Sequence, residues 1–377
     1  MGSSALYQLA KRGGQALGID RFSPPHDLGS THGDTRITRL AIGEGDEFVP
    51  LAMRSHEIWR EIESESGKRL LFQTGGLIIS SDARASSLHV DNFFNNTVAA
   101  AKKFGIGHEL LDAGEIRARF PQFKVANNEA GYFEPEAGYL LPEDCVRAQL
   151  DLARGHGAEI RLNEEVTEFR QNGAGVEVRS GSNTYVADKL IVTAGPWLPG
   201  MIDAELAQIF KVYRQVLYWF EVEPDSREQF APERCPVFIW GLQEKEHGIY
   251  GFPAVNGPGG GVKIATEQLA ETTTPETVRR EVSAEEIGRM YENLVRPYIP
   301  ALTPRCLKAV SCLYTVIPNS GFVIDRHPAF ENIMVVSPCS GHGFKHSAAI
   351  GEAVAETVLY GECRIDLGRF SFKRYIA

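Results

Sequence analysis

The sequence predicts an α/β chain in which a parallel, dinucleotide-binding unit is interleaved with a domain built on an antiparallel sheet. Three observations predict it. The first residues read as a helix, a glycine stop and a short strand ending in an acid, the second half of a dinucleotide-binding βαβ unit. Strand, glycine turn and helix recur near the end of the chain, while the middle is rich in alternating β patterns. At 377 residues the chain also exceeds the size at which one hydrophobic core usually keeps growing.

Ser3 to Arg12 places Leu6, Leu9 and Ala10 on one helical face, and Gly13-Gly14 stops it. Gln15–Asp20 follows as a strand. Asp20 stands 18 residues beyond Gly2, near the spacing at which an acid meets a ribose and a glycine turn admits pyrophosphate to a helix N-terminus. Gly2 is then the last glycine of that fingerprint. Its first strand and G-x-G would precede residue 1, so the expectation is a start assigned too late or a truncated chain. Glu47–Glu65 is amphipathic with Pro50 in its first turn, Gly75–Ser80 is strand-like, and His89–Lys103 and Asp144–Arg154 read as helices. The turn at Gly157 leads into a strand through Leu162. Val166–Arg170, Gly175–Arg179 and Thr184–Ala187 alternate as hairpin strands before a buried strand, Lys189–Ala194. Leu217–Val222 and Gly248–Phe252 read as antiparallel strands near the Pro/Gly-rich bend Asn256–Gly261. Ala284–Tyr298 is helical, Ile333–Val336 is a short strand, and Ser340–Lys345 opens a helix that runs to Tyr360. The bounds that result are 1–70, 140–205 and 305–377 for the parallel unit, and 71–139 and 206–304 for the sheet domain.

Charge and composition exclude several function classes. A net charge of −10 without a long basic run argues against a phosphate-tracking surface, so no nucleic-acid partner is expected. No apolar stretch approaches the roughly 20 residues of a membrane span, so no membrane partner is expected either. The first residues lack a charged-then-apolar signal pattern, and Leu6 stands where a myristoylation motif requires Ser or Thr. Six cysteines lie scattered without a Cys-x-x-Cys, which points to a reduced, cytoplasmic protein. His342 and His346 sit four apart but lack a third ligand or a companion acid, so no metal site is expected.

Eight segments stand in one order along nearly the whole chain: Pro24-Pro25-His26, His32 to Arg39 (HGDTRITR), Gly43-Glu44-Gly45, Tyr250-Gly251-Phe252-Pro253, Lys263, Cys312-Leu313-Tyr314-Thr315, Asp325-Arg326-His327-Pro328, and Ser340 to Lys345. Together they resemble the monomeric sarcosine oxidase and N-methyl-L-tryptophan oxidase family of FAD-dependent amine oxidases. The resemblance implies an FAD-binding Rossmann-like domain interleaved with an antiparallel-sheet substrate domain, in the glutathione reductase-like, D-amino acid oxidase-like manner. It implies cofactor contacts at Gly2, Asp20, Val166, Gly341, Gly343 and Lys345, and a thioether from Cys312 to the flavin 8-methyl group. An amino-acid substrate brings a carboxylate that calls for fixed cations. Arg39 and Lys345 match the family's carboxylate clamp. Arg36 and His32 match positions beside the flavin, and Tyr250 and Tyr314 match residues lining the substrate cavity. Lys263 matches a lysine that promotes the reaction of reduced flavin with oxygen, a step in which an ammonium stabilises the developing anion. Glu267 stands where sarcosine oxidases have a histidine, which alters the charge facing the amine and puts sarcosine itself in question.

Taken singly, the same residues fit plainer readings. HGDTRITR fits a solvated basic loop, Cys312 a buried structural thiol, the tyrosines core aromatics, and Lys263 a surface lysine. The expected activity is oxidation of an N-methyl or cyclic secondary amino acid to an imine, with oxygen reduced to hydrogen peroxide and formaldehyde released from N-methyl substrates. The expected enzyme is a monomer whose partners are a small amino acid and oxygen. Two alternatives stand beside it: a dehydrogenase of the same fold with another electron acceptor, and a non-catalytic relative that does not hold FAD.

Overall fold

The computed structural model describes residues 1–80, 90–242 and 248–376; His89, where the sequence pattern starts a helix, lies outside them. The first helix, Gly2–Lys11, buries Ala5, Leu6 and Tyr7. It closes where Gly13 takes φ +79° and donates to the carbonyl of Ala10, a backbone conformation that glycine adopts without strain. It packs against two later helices, Pro142–Gly155 and Ser347–Tyr360. The strand Leu17–Asp20 pairs in parallel with Glu159–Leu162. Leu190–Val192 pairs in parallel with Phe330–Ser337, whose other neighbour, Val323–His327, is antiparallel. Parallel pairing thus joins distant parts of the chain, as the α/β reading requires.

The expected hairpin strands form a three-stranded antiparallel layer of Glu168–Asn172, Gly175–Ser180 and Asn183–Ala187. Its first strand begins two residues later than the pattern suggests, which leaves Val166 in the connection. The middle of the chain builds an eight-stranded sheet in the order Leu302–Val316, Lys211–Val222, Val262–Thr266, Ile249–Gly251, Val237–Gly241, Gly76–Ser80, Ala130–Glu134 and Glu109–Asp112. One amendment is needed to the antiparallel expectation. Val237–Gly241 runs parallel to Gly76–Ser80, because the two come from distant segments and no hairpin dictates their direction. The two longest strands are hardly legible in the sequence. Arg305 and Lys308 interrupt apolar alternation in Leu302–Val316, and cross-strand pairing with Lys211–Val222 supplies the order. Ala284–Tyr298 is α-helical only to Met290 and continues as a π-turn over Tyr291–Val295.

The eight-stranded sheet uses its two faces differently. Val216, Tyr218, Phe220 and Ile264 enter a core with Phe123, Phe238, Trp240 and Tyr291. Leu217, Trp219, Ala265 and Cys312 belong to the other face and form a small cluster of their own with Tyr250. The period-2 alternation of a strand produces this division. A separate large core gathers Tyr7, Trp59, Phe93, Phe322 and Ile350 around the helices. Each such side chain contributes about 1.5–3 kcal/mol when fully buried. No helix among the described residues is long and apolar enough to cross a membrane.

Candidate active site

The face carrying Leu217 and Cys312 looks onto a cavity. Register explains which side chains reach it. Lys263 lies opposite Trp219, and Ala265 opposite both Leu217 and Tyr250, while Cys312 lies opposite Gln215 two residues further along. Residues paired across an antiparallel ladder share a face, so Lys263, Tyr250 and Cys312 point the same way. Glu267 follows four residues after Lys263, just beyond the end of the strand, and lines the same cavity.

Lys263 is 2% exposed, so the plain reading of a surface lysine is excluded. Its Nζ donates to the carbonyls of Gly33 and Thr35, both at 2.8 Å, and lies 4.4 Å from the ring centroid of Phe252. Burial, and then Arg36, push its pKa well below the ordinary lysine value. Its charge therefore depends on those carbonyls, on the aromatic face and on any negative charge in the cavity. The loop that holds it needs Gly33, which takes φ +96° and has no room for a Cβ, since one would fall 2.5 Å from Leu217 Cδ1.

Arg36 donates to the carbonyls of Thr35 and Ser30, each at 2.8 Å, and approaches Cys312 Sγ at 3.7 Å. Arg36, like Arg39, is no solvated loop residue. His32 is 4% exposed and its Nε2 has no partner among the described residues. Burial, Arg36 and Lys263 lower its pKa to about 3, which makes it a neutral imidazole. Tyr250 and Tyr314 share a hydrogen bond of 3.1 Å between their hydroxyls. Burial pushes Tyr250 up to about 12 and Tyr314 well above the usual phenol value, so both remain protonated donors.

On a second wall, Arg39 is 3% exposed. Its Nη1 donates to the carbonyl of Ala41, its Nη2 donates to Glu44 at 2.6 Å, and its guanidinium lies 5.0 Å from the centroid of Phe93. Arg39 Nε has no partner among the described residues. Lys345 is equally buried and donates to the carbonyl of His342 at 2.7 Å. Burial lowers its pKa to about 7, with Glu44 opposing and Arg39 assisting. Glu44 also faces His342 Nδ1 at 3.7 Å. Because His342 Nε2 lies 2.8 Å from the carbonyl of Ser320, Nε2 carries a proton. Glu44 is a functional candidate that sequence reasoning passed over, although its position between Gly43 and Gly45 was a usable signal.

The cavity brings together Arg36, Arg39, Tyr250, Lys263, Glu267, Cys312, Tyr314, Gly341 and Lys345, which lie far apart in the sequence. Gly341 takes φ +80° at its edge. Gly343 is not on the lining, and its small size serves packing, since a Cβ there would fall 1.6 Å from the carbonyl oxygen of Pro338. Gly2, Asp20 and Val166 lie outside the cavity as well. Gly2 opens the first helix against Thr193, and Asp20 ends its strand and accepts from the amide of Phe22 at 2.8 Å. Val166 stands just beyond Glu164, whose amide donates to the carbonyl of Asp20. None of the three lines the cavity. Among the described residues no group of three or more His, Cys, Asp and Glu is arranged to hold a metal ion.

Known proteins resemble this chain along nearly its whole length. Residues 1–357 match the family model described as FAD dependent oxidoreductase. A monomeric sarcosine oxidase from Streptomyces avermitilis is 38% identical over 378 aligned positions, covering 100% of this chain and 96% of that protein. An N-methyl-L-tryptophan oxidase from Yersinia pestis is 33% identical and covers 100% and 96% respectively. Among solved structures, the open form of NikD, an amino acid oxidase essential for nikkomycin biosynthesis, superposes with a TM-score of 0.83 at 22% identity. That match covers 98% of this chain and 94% of the other, and at this identity it speaks for the fold alone.

Proposed function

The chain belongs to the FAD dependent oxidoreductase family, and from that premise we propose that it oxidises a secondary-amine amino acid, N-methyl or cyclic, to an imine. Oxygen is reduced to hydrogen peroxide, and an N-methyl substrate loses formaldehyde when water hydrolyses the imine. The observation that carries this reading is the pair of buried cations, Arg39 and Lys345, on one cavity wall, with Tyr250, Tyr314 and Lys263 on the other. A buried guanidinium with an unpartnered Nε is suited to a carboxylate.

The residues present fit FAD. Cys312 Sγ faces the cavity, the backbone at Gly341 offers a close approach, and His32 Nε2 is a buried polar atom in want of a partner. In this reading residues 1–70, 140–205 and 305–377 would hold the cofactor, residues 305–316 doing so from the strand Leu302–Val316 of the eight-stranded sheet; Gly2, Asp20 and Val166 would serve its adenosine end, and Cys312 would bind it covalently. When bound, FAD would supply an acceptor for hydride from the carbon next to the amine and a donor of electrons to oxygen. The protein's part is to orient and to supply charge. Arg39 and Lys345 take the carboxylate, Arg39 through the Nε that has no partner among the described residues. The two phenols donate towards the substrate, and neutral His32 with Arg36 borders the ring. Lys263 offers an ammonium where negative charge develops on oxygen. Glu267 sets the charge at the far end and with it the choice of substrate. The small-molecule chemistry, the name of the sarcosine oxidase relative and the unpaired state of all six cysteines support a cytoplasmic monomer.

Purified protein tested for peroxide release with sarcosine, N-methyl-tryptophan, pipecolate and longer N-methyl amino acids is expected to respond to at least one of them. FAD should stay in the acid-precipitated pellet, and Cys312→Ser should release it. Flavin reduction by substrate without peroxide would convert the reading to the dehydrogenase, and protein that cannot be loaded with FAD would end it.

A further inference from the structure

We propose that Glu134 is a positioning residue for the carboxylate clamp, holding the Arg39 guanidinium in place through the backbone of Leu40 and Ala41. The inference rests on the reading of Arg39 as the substrate-carboxylate partner. Glu134 ends the strand Ala130–Glu134 of the eight-stranded sheet and is 1% exposed. One of its oxygens accepts from the amide of Leu40 at 2.6 Å, and the other accepts from the amide of Ala41 at 3.1 Å and from the hydroxyl of Tyr132 at 2.8 Å. The carbonyl of the same Ala41 accepts from Arg39 Nη1. A continuous path therefore runs from the Glu134 carboxylate, through residue 41, to the guanidinium.

Three donors converge on Glu134, which calls for an acceptor-only group. A glutamine would turn an NH₂ towards at least one of these donors and leave it unpaired. The clasp also bridges two layers. Arg39 directly follows the strand Arg36–Thr38, which belongs to a different sheet from Glu134. With Nη1 fixed at Ala41, Nη2 paired with Glu44 and the ring of Phe93 nearby, Nε is the donor left to meet a carboxylate. Such a contact depends on orientation to within a few tenths of an ångström, so a loosened loop weakens it even though Arg39 itself is unchanged.

The test uses FAD-loaded enzyme and calorimetric titration with the tightest-binding of propionate, 2-furoate and benzoate, none of which carries an oxidisable amine. Glu134→Gln is expected to weaken that carboxylate at least tenfold while the matching neutral amide binds as in wild type. With an oxidised substrate, KM should rise by a larger factor than kcat falls. In an Arg39→Ala background Glu134→Gln should cost nothing further. If Glu134→Gln loses FAD or fails to fold, Glu134→Asp, whose shorter arm cannot reach all three donors, is held to the same selective loss. Equal weakening of carboxylate and amide, or an unchanged carboxylate affinity while Arg39→Ala abolishes binding, overturns the role of Glu134. Unchanged carboxylate affinity in Arg39→Ala, or no carboxylate binding to wild type, overturns the clamp itself.

Discussion

Two buried lysines govern opposite halves of the proposed reaction, and their protonation makes each testable. Lys345 has its pKa lowered to about 7, first by burial. Below that pH it is an ammonium and attracts a carboxylate; as pH rises through the shifted pKa the charge is lost and affinity falls. A bound carboxylate raises the pKa, so the complex keeps its proton to higher pH than the free enzyme. The affinity of an amine-free carboxylate such as benzoate should therefore be flat well below pH 7 and decline above it, by up to tenfold per pH unit. Lys345→Met should give weak binding with no such decline, and a parallel decline in mutant and wild type would assign the titration to another group. In the proposed reaction Lys263 acts where oxygen becomes negative. Lys263→Met keeps most of the volume and removes the charge. Flavin bleaching by substrate under anaerobic conditions should survive, while the return of colour in oxygen should slow by about 10²-fold or more. Stopped-flow absorbance reads both steps, and reoxidation at the wild-type rate would remove Lys263 from the oxygen chemistry.

The elements that carry these residues are set by close packing as much as by propensity. In the helix Ser347–Tyr360, Gly351 would ordinarily be improved by alanine, which gains up to about 1 kcal/mol in a helix interior. Here the first helix lies against it, and a Cβ would fall 2.1 Å from Ser4 Oγ and 2.6 Å from the carbonyl carbon of Ser4. Gly351→Ala is therefore expected to destabilise by about 1–3 kcal/mol, the usual cost of overpacking, seen as a lower denaturation midpoint with unchanged slope. An equal or higher midpoint would show that the two helices can separate without loss. The long strands carry the opposite lesson. Lys211–Val222 and Leu302–Val316 hold charged and polar residues at positions a strand pattern would keep apolar. They are stabilised by pairing with each other along most of their length and bring Cys312 and Tyr314 to the cavity.

For the whole molecule, the sequence by itself determined the class of fold, the family and most of the residue types in the cavity. Helices such as Gly2–Lys11 and the glycine stop after it are decided by neighbours three or four positions away, and hairpins such as Gly175–Ser180 with Asn183–Ala187 by a local turn. Arg36, Arg39, Cys312 and Lys345 were legible because each sits inside a short motif, and Lys263 through its place in the order of those motifs. The tertiary structure decided what these groups face. Only the folded chain opposes Glu44 to Arg39, sets Lys263 against Gly33 and Thr35, and places Gly343 against Pro338 while Gly341 meets the cavity. It also decided that Gly76–Ser80 and Val237–Gly241 run parallel and that Glu134 clasps residues more than 90 positions earlier in the chain. No local pattern encodes such partners, because a hydrogen bond or a charge shift depends on the distance between groups in space, and that distance is set by the packing of separate sheets and helices.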